Sequence, residues 1–197
     1  MPNAPICNML IHNFGPNVYT VIIMLKLAAS LINQPLLSIR TAGPVATTES
    51  LIINPNNLKI EGFYCIDRYD KSRLVLVTID IREILPSGIV INDHSVLSEV
   101  ADLIRLRPII DLNFILIGKR VVTESGQKVG RIIDFAADSK SLYIQKLYVG
   151  QSLFKNFSGG QLAVDRSQIV SISDREIVIQ DLENFAKNTA PATTAPA

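Results

Sequence analysis

The chain has 197 residues, 48% of them hydrophobic and 19% charged, which is typical of a globular protein and excludes a disordered one. Its formal net charge is +1, and basic and acidic residues balance in each half: nine against nine in residues 25–107, ten against nine in residues 108–197. This balance argues against strong nucleic-acid binding, which needs several phosphate-facing Lys or Arg side chains. Cys7 and Cys65 form no CxxC motif and no metal-ligand spacing, so we expect a reducing, cytoplasmic location and no metal site.

The first 24 residues differ from the rest of the chain, because they contain no Asp, Glu, Lys or Arg and are interrupted by prolines and asparagines. Their apolar run at residues 18–25 is shorter than the roughly 20 residues of a membrane span, and no basic segment precedes it as in a signal peptide. We expect no membrane association. We predict that residues 1–24 are a leader outside the folded domain. Either this leader is non-native and Met24 is the native start, or it is a genuine disordered arm. An export signal is a lesser alternative.

Short β-rich runs separated by turn residues fill most of the remaining chain and predict a small barrel or sandwich. The strands predicted before residue 98 cover residues 36–40, 45–53, 60–66, 74–79 and 89–91. Those predicted after residue 111 cover residues 120–123, 128–136, 142–148, 161–164, 168–171 and 176–180. A hairpin turn is expected at residues 124–127, where Gly126 tolerates a positive φ. Residues 188–197, small residues with two prolines, are an expected disordered tail.

Between the two groups of strands, the sequence predicts one helix. Ser98 is a suitable N-cap and Glu99 a suitable first-turn residue, while Val100, Leu103, Ile104 and Arg107 recur at helical spacing. Pro108 is expected to end this helix, because proline interrupts a helix interior. Residues 98–111 are therefore predicted to form a connecting helix and linker.

The two groups of strands share one pattern, which indicates an internal duplication. Residues 31–38 recur at residues 116–123, an offset of 85, and the same offset aligns Asp80 with Asp165. The β-rich run at residues 88–91 recurs at residues 176–179, an offset of 88. We predict a first half over residues 25–97 and a second half over residues 112–187, with Asp80 and Asp165 as equivalent structural carboxylates.

The second copy resembles the opening of a PRC-barrel domain. The resemblance is carried by Leu116 to Thr123, Gly126, Val129-Gly130 and Ile132-Ile133-Asp134-Phe135, and the first copy is similar to a more divergent version. It implies a mainly β protein of two tandem small PRC-type β-barrels joined by a short helix. Members of this family include the soluble domain of the photosynthetic reaction-centre H subunit, one half of the ribosome-maturation factor RimM, and small bacterial and archaeal proteins, which this bacterial-type chain resembles most.

Residues that could carry chemistry are few, so we predict no catalytic residues, no cofactor and no enzymatic activity. His94 lies in a polar run, Asn92 to Ser95, that is typical of a turn. Asp80 and Asp165 fit structural hydrogen bonding at turns better than acid–base catalysis. Gly159-Gly160 belongs to no nucleotide-binding motif. A hydrolase that uses Asp80, Asp165 or His94 is the weakest alternative.

A cluster of apolar residues in a loop-like stretch, Leu153, Phe154 and Phe157, provides candidate partner-binding anchors. The alternative is a lid that folds back on the barrel. The sequence therefore favours a non-catalytic protein-binding or scaffold module whose partner is a protein, with a ribosomal protein as one candidate. The alternative function is ribosome maturation, in small-subunit assembly, as in RimM; RimM, however, pairs one PRC barrel with a different N-terminal barrel.

Overall fold

A computed structural model describes residues 24–151 and 161–181, which form two β-sheets and one short α-helix. The prediction of a mainly β protein is therefore confirmed. The described residues group into two compact units. The first unit holds residues 24–115 and 134–146, and the second holds residues 116–133, 147–151 and 161–181. Most of the predicted leader and the whole of the predicted tail lie outside the described residues.

The first sheet belongs to the first unit. The described chain opens with a short strand, β1 (Leu25–Leu27), and then supplies the seven strands of this sheet: β2 (Pro35–Ser38), β3 (Gly43–Asn54), β4 (Lys59–Asp67), β5 (Arg73–Val77), β6 (Ile81–Leu85), β7 (Gly88–Ile91) and β8 (Leu97–Ser98). Their order across the sheet is β6-β7-β2-β3-β4-β5-β8. In β4, buried residues alternate with half-buried ones over much of its length, as expected of a strand with one face on a core.

The second sheet follows the helix α1 (Arg107–Asp111). Its later strands are β9 (Arg120–Thr123), β10 (Lys128–Asp138), β11 (Ile144–Gln151), β12 (Gln161–Asp165), β13 (Ile169–Ile172) and β14 (Glu176–Ile179). They lie in the order β12-β11-β10-β9-β14-β13, and β1 pairs with β10 through Leu25–Leu27. The connected ends of β10 and β11, residues 134–146, are grouped with the first unit.

The two sheets repeat one strand order, because β6-β7-β2-β3-β4-β5 corresponds to β13-β14-β9-β10-β11-β12. The registers agree as well. Leu36 of β2 pairs in parallel with Ile89 of β7, and Val121 of β9 pairs in parallel with Ile177 of β14. These pairs reproduce the two sequence offsets, since 121 − 36 is 85 and 177 − 89 is 88. The repeat seen in the sequence is thus a repeat of topology and register.

A bulge occupies the same position in both sheets. In the first, Leu36 and Leu37 pair with Ala46 and Pro44, which leaves the buried Val45 without a partner across the ladder. In the second, Val121 and Val122 pair with Gly130 and Lys128, which leaves the buried Val129 in the same state. A bulge re-aims side chains and increases local twist, so both sheets turn a valine into their cores at the same point.

Neither sheet closes into a barrel within the described strands. The first sheet ends at β6 and β8, and the second ends at β12 and β13. In the first sheet, β5 pairs with β4 along one edge and with β8 along the other. The pairs with β8 are Val75 with Ser98 and Leu76 with Leu97. This second edge is therefore not available to β6, although only the 3-10 turn Thr78–Asp80 separates β5 from β6. The two sheets are open within the described strands, so the two closed barrels expected from the sequence are not confirmed.

The helix predicted from Ser98 to Pro108 is wrong. Ser98 lies in β8, and Val100–Asp102 forms a 3-10 turn. The α-helix begins at Arg107, so Pro108 lies in its first turn and not after its end. Proline is tolerated there, because an N–H group in the first turn has no partner within the helix. Pro108 therefore marks a helix start.

Residues 98–111 pack on the first unit and do not form a free linker. Leu106 joins a buried cluster with Ile52 and Val75, and Leu103 and Ile109 pack against it. Two of the apolar residues whose spacing predicted a long helix are instead placed by contacts with this cluster. The first unit includes these residues and continues to residue 115.

Cys65 of β4 is fully buried, and this burial raises the pKa of its thiol to about 12. A thiol with this pKa carries almost no thiolate at pH 8, and the thiolate is the reactive form. In a Cys7→Ser chain, where Cys65 is the remaining cysteine, we expect no labelling by an aromatic disulfide reagent at pH 8 under native conditions. Full labelling in denaturant is the control, and rapid native labelling would contradict the burial of Cys65.

Candidate interaction surface

Three loops gather at one end of the first sheet. They are residues 39–42, residues 67–72 and residues 92–94. They meet because β2 and β7 run parallel and end together at Ser38 and Ile91, while Ala46 near the start of β3 pairs with Asp67 at the end of β4. We call these loops, together with Arg82, the rim. Arg82 joins them through a hydrogen bond of 2.8 Å from its Nε to Asn92 Oδ1.

The buried carboxylate of Asp67 organises the central loop of the rim. Its side chain is 3% exposed. Oδ1 accepts hydrogen bonds from the backbone N–H groups of Tyr69 (2.6 Å) and Asp70 (3.2 Å), and Oδ2 is bonded to His94 Nε2. Burial by itself raises the pKa of Asp67, but the hydrogen bonds from His94, Tyr69 and Asp70 outweigh it, so the net pKa lies below its ordinary value.

Asp93 fixes the other two loops to each other. Its Oδ2 accepts a hydrogen bond of 2.7 Å from Arg40 Nη1, and its Oδ1 accepts one of 2.7 Å from the backbone N–H of His94. These bonds lower the pKa of Asp93, the Arg40 bond most of all. The ring of Tyr69 meets His94 edge-on, with centroids 5.9 Å apart. The rim is therefore held by contacts among all three loops.

Large apolar side chains are exposed on this fixed frame. Tyr69 is 71% exposed and Ile39 is 60% exposed. The backbone N–H of Ile39 donates to Ile91 O at 3.0 Å, so the residue is tied to the sheet although its side chain faces solvent. An exposed aromatic ring on a rigid frame is a typical binding anchor.

Arg40 is paired with the carboxylate of Asp93, whereas the other three Arg and Lys side chains of the rim contact neutral oxygens. Arg68 Nη1 donates to Pro44 O at 3.2 Å, Lys71 Nζ donates to Arg68 O at 2.9 Å, and Arg82 Nε donates to Asn92 Oδ1. All three side chains are exposed. Within residues 24–151 and 161–181, none of the three forms a salt bridge with a carboxylate. The rim thus presents positive charge that the described residues do not neutralise.

The corresponding end of the second sheet repeats one of these contacts. Asp181 Oδ1 accepts hydrogen bonds from Ser125 N (3.1 Å) and Ser125 Oγ (2.7 Å), which lower the pKa of Asp181. Asp181 corresponds to Asp93, because 181 − 93 is 88, and Ser125 corresponds to Arg40, because 125 − 40 is 85. A carboxylate that ties two loops is therefore the repeated polar feature. Sequence reasoning missed this pair of carboxylates. The offset of 88 that relates Ile91 to Ile179 also relates Asp93 to Asp181, two residues later, and would have identified them.

Asp80 and Asp165, the carboxylates singled out in the sequence, lie at corresponding turns but at different positions in them. Asp165 caps the 3-10 turn Arg166–Gln168 with a capping box completed by Gln168. Asp80 is the last residue of the turn Thr78–Asp80. Ile81 pairs with Ile91 and Ile169 pairs with Ile179, so the offset here is 88 and Asp80 corresponds to Gln168. The structure therefore shifts their alignment by three residues.

His94 was interpreted as part of a polar turn, and it begins the 3-10 turn His94–Val96. An Asp–His pair can orient a catalytic base toward a nucleophile. Among the described residues, however, no Ser, Thr or Cys side chain is hydrogen-bonded to His94, whose ring is bonded to Asp67 through Nε2. The same part of the chain holds no group of three His, Cys, Asp or Glu side chains placed to share a metal ion.

The predicted anchors Leu153, Phe154 and Phe157 lie outside the described residues, in the segment between β11 and β12. In strand order this segment corresponds to the one between β4 and β5, which carries Tyr69. No helix in the described residues has both the length and the hydrophobicity to cross a membrane. No protein-family model matches the chain, and a search of curated proteins finds no match either.

Proposed function

We propose that this chain is a non-catalytic protein-binding module and that the rim is its docking surface. The observation that carries the proposal is the exposure of Tyr69, 71%, on loops held by buried or paired carboxylates. A surface already fixed before binding loses little conformational entropy when a partner docks. Tyr and Arg, both present on the rim, are the residue types enriched among energetically dominant contacts.

In this proposal, the two repeated sheets are duplicated halves that resemble PRC-barrel domains. Their common strand order, parallel registers and equivalent bulges at Val45 and Val129 support duplication of one ancestral unit. The chain acts in the cytoplasm and uses its two halves as a scaffold. The carboxylates of the rim support a structural role, because Asp67 and Asp93 both accept hydrogen bonds from neighbouring loop groups.

The test is to capture partners from the native host with tagged wild-type and Tyr69→Ser chains. We expect Tyr69→Ser to reduce capture of the specific partner at least about fivefold, because removal of a central aromatic anchor typically costs more than about 1 kcal/mol. Ile79→Ser is the matched control, since Ile79 is 83% exposed but lies outside the rim. Both chains should melt within about 2 °C of the wild type, as exposed substitutions usually do.

Full capture by both Tyr69→Ser and Ile39→Ser would show that the rim is not the docking surface. Turnover of a substrate by the wild type, lost in His94→Ala with the fold intact, would contradict the non-catalytic assignment. Co-sedimentation with small ribosomal subunits would favour ribosome maturation, the alternative suggested by the RimM resemblance.

A further inference from the structure

We propose that the rim binds an acidic, extended segment of its protein partner. Carboxylates of this segment bind Arg68, Lys71 and Arg82, and one of its apolar side chains packs against Tyr69. This inference rests on the proposed function, because it assumes that the rim is the docking surface. It adds the chemical class of the segment that docks.

The carboxylates of the rim differ in exposure: Asp67 is buried and Asp93 is paired with Arg40, whereas Asp70 is exposed. All three accept hydrogen bonds from loop groups, with Asp70 Oδ1 bonded to Ser72 N at 2.8 Å. The cations Arg68, Lys71 and Arg82 donate to neutral oxygens instead. The rim therefore exposes three cations that form no salt bridge with the described residues and one carboxylate, that of Asp70, so its exposed unpaired charge is net positive.

The two arginines retain donors for an incoming carboxylate. Arg68 donates to Pro44 through Nη1, and Arg82 donates to Asn92 through Nε. A guanidinium group has five N–H donors in a planar fork that fits a carboxylate. Each arginine can therefore bind a carboxylate while it keeps the contact that holds it in place.

The number of unopposed cations favours an acidic polypeptide over a polyanion. Proteins that bind duplex nucleic acid commonly contact about 6–10 phosphates, and lipid-binding polybasic clusters contain about 4–8 Lys or Arg residues. The rim offers three such cations, and its carboxylates lie among them. Closely spaced phosphates would approach Asp70 and Asp93, whereas an acidic segment interspersed with apolar residues fits both the cations and Tyr69.

The experiment measures fluorescence anisotropy of a labelled glutamate-rich peptide that contains one phenylalanine, added to the full chain. The control peptide has glutamine at every glutamate position. We expect the acidic peptide to bind about tenfold more tightly than the glutamine peptide. The Arg68→Gln/Arg82→Gln chain should lose about tenfold in affinity, since each exposed charge pair contributes up to about 1 kcal/mol, or about fivefold. Raised salt should weaken binding of the wild type.

The matched control is Lys140→Gln/Arg175→Gln, which removes two exposed cations outside the rim and should change affinity less than about twofold. Lys71→Gln, a single exposed change, should weaken binding about threefold and keeps the test valid if the double variant does not fold. Equal losses in the rim and control double variants would overturn the inference, as would equal affinity for the two peptides. Tighter binding of a single-stranded RNA or of phosphatidylserine vesicles would also overturn it.

This result is separable from the test of the proposed function. If Tyr69→Ser abolishes partner capture while the acidic peptide does not bind the wild type, the rim is the docking surface and the acidic segment is wrong. If the acidic peptide binds and Arg68→Gln/Arg82→Gln weakens it, but Tyr69→Ser and Ile39→Ser leave partner capture unchanged, the rim recognises acidic peptides and the proposed function fails.

Discussion

A Gly130→Ala chain is expected to lose about 3 kcal/mol of unfolding free energy, at the upper end of overpacking effects. Gly130 of β10 faces Gly150 of β11, and a Cβ built on Gly130 overlaps the carbonyl oxygen of Gly150 and comes within 3.0 Å of Val149 Cγ1. A backbone carbonyl in a strand cannot rotate away as a side chain can. The measurement is denaturant unfolding of the variant and the wild type, which gives the difference in free energy.

Alanine substitutions at two other glycines are expected to cause smaller losses of stability, in the order of their Cβ contacts. A Cβ on Gly150 would lie 2.7 Å from Ile133 Cγ2, a side-chain atom with some freedom to move, so Gly150→Ala should cost about 1–2 kcal/mol. A Cβ on Gly43 would meet nothing closer than Thr41 O at 3.8 Å, so Gly43→Ala should be within about 0.5 kcal/mol of the wild type. Equal stability of Gly130→Ala and Gly43→Ala would contradict the close approach of β10 and β11.

Strands with strong β-propensity and clear turns could be predicted from the sequence. Residues 45–53 and 128–136 were predicted as strands and lie inside β3 and β10. The turn at residues 124–127 was also predicted, and Gly126 has φ 80° there. These features are local, because alternating burial and turn chemistry act over a few residues. The repeat offsets then indicated which strands correspond.

Elements whose position depends on distant contacts could not be predicted in the same way. The two-residue strand β8 exists because Leu97 and Ser98 pair with β5. That pairing occupies an edge of β5 that a closed barrel would need, and the expected barrel closure is not confirmed. The helix failed for a related reason, because Leu106 is buried against the first sheet and the half-buried Val100 and Leu103 pack against the same cluster without forming one helical face. Ile104, part of the same spacing, is 83% exposed.

The candidate site was only partly visible in the sequence. A polar turn at His94 was predicted, but its partner Asp67 lies 27 residues earlier and is brought to it by the loops of the sheet. The sequence likewise aligned Asp80 with Asp165 by the offset of 85. Differences in loop length change the offset to 88 before these positions, so the two residues are not equivalent. Contacts across loops require the strand order, which composition and periodicity do not specify.

An Asp67→Ala chain is expected to be about 2–3 kcal/mol less stable than the wild type near pH 7, because a buried acceptor that serves several donors is removed. The N–H groups of Tyr69 and Asp70 lose their shared partner, and His94 loses its contact with the sheet. Asp67→Asn keeps one oxygen acceptor and should cost about half as much. Asp80→Asn removes the same charge from a half-buried turn position and should change stability by less than about 0.5 kcal/mol.

The pH dependence of the unfolding free energy separates the contribution of the Asp67 charge from that of the size of its side chain. The pKa of Asp67 is lower in the folded chain than its ordinary value, because the hydrogen bonds from His94, Tyr69 and Asp70 outweigh burial. Its charged form therefore adds stability that is complete above the unfolded pKa, about 3.9, and is lost as the pH falls through the lower folded pKa. We expect the stability difference between the wild type and Asp67→Asn to shrink as the pH falls below about 4. Denaturant unfolding at each pH measures it, and a difference that stays constant into the acid range would show that the carboxylate charge of Asp67 does not hold the rim.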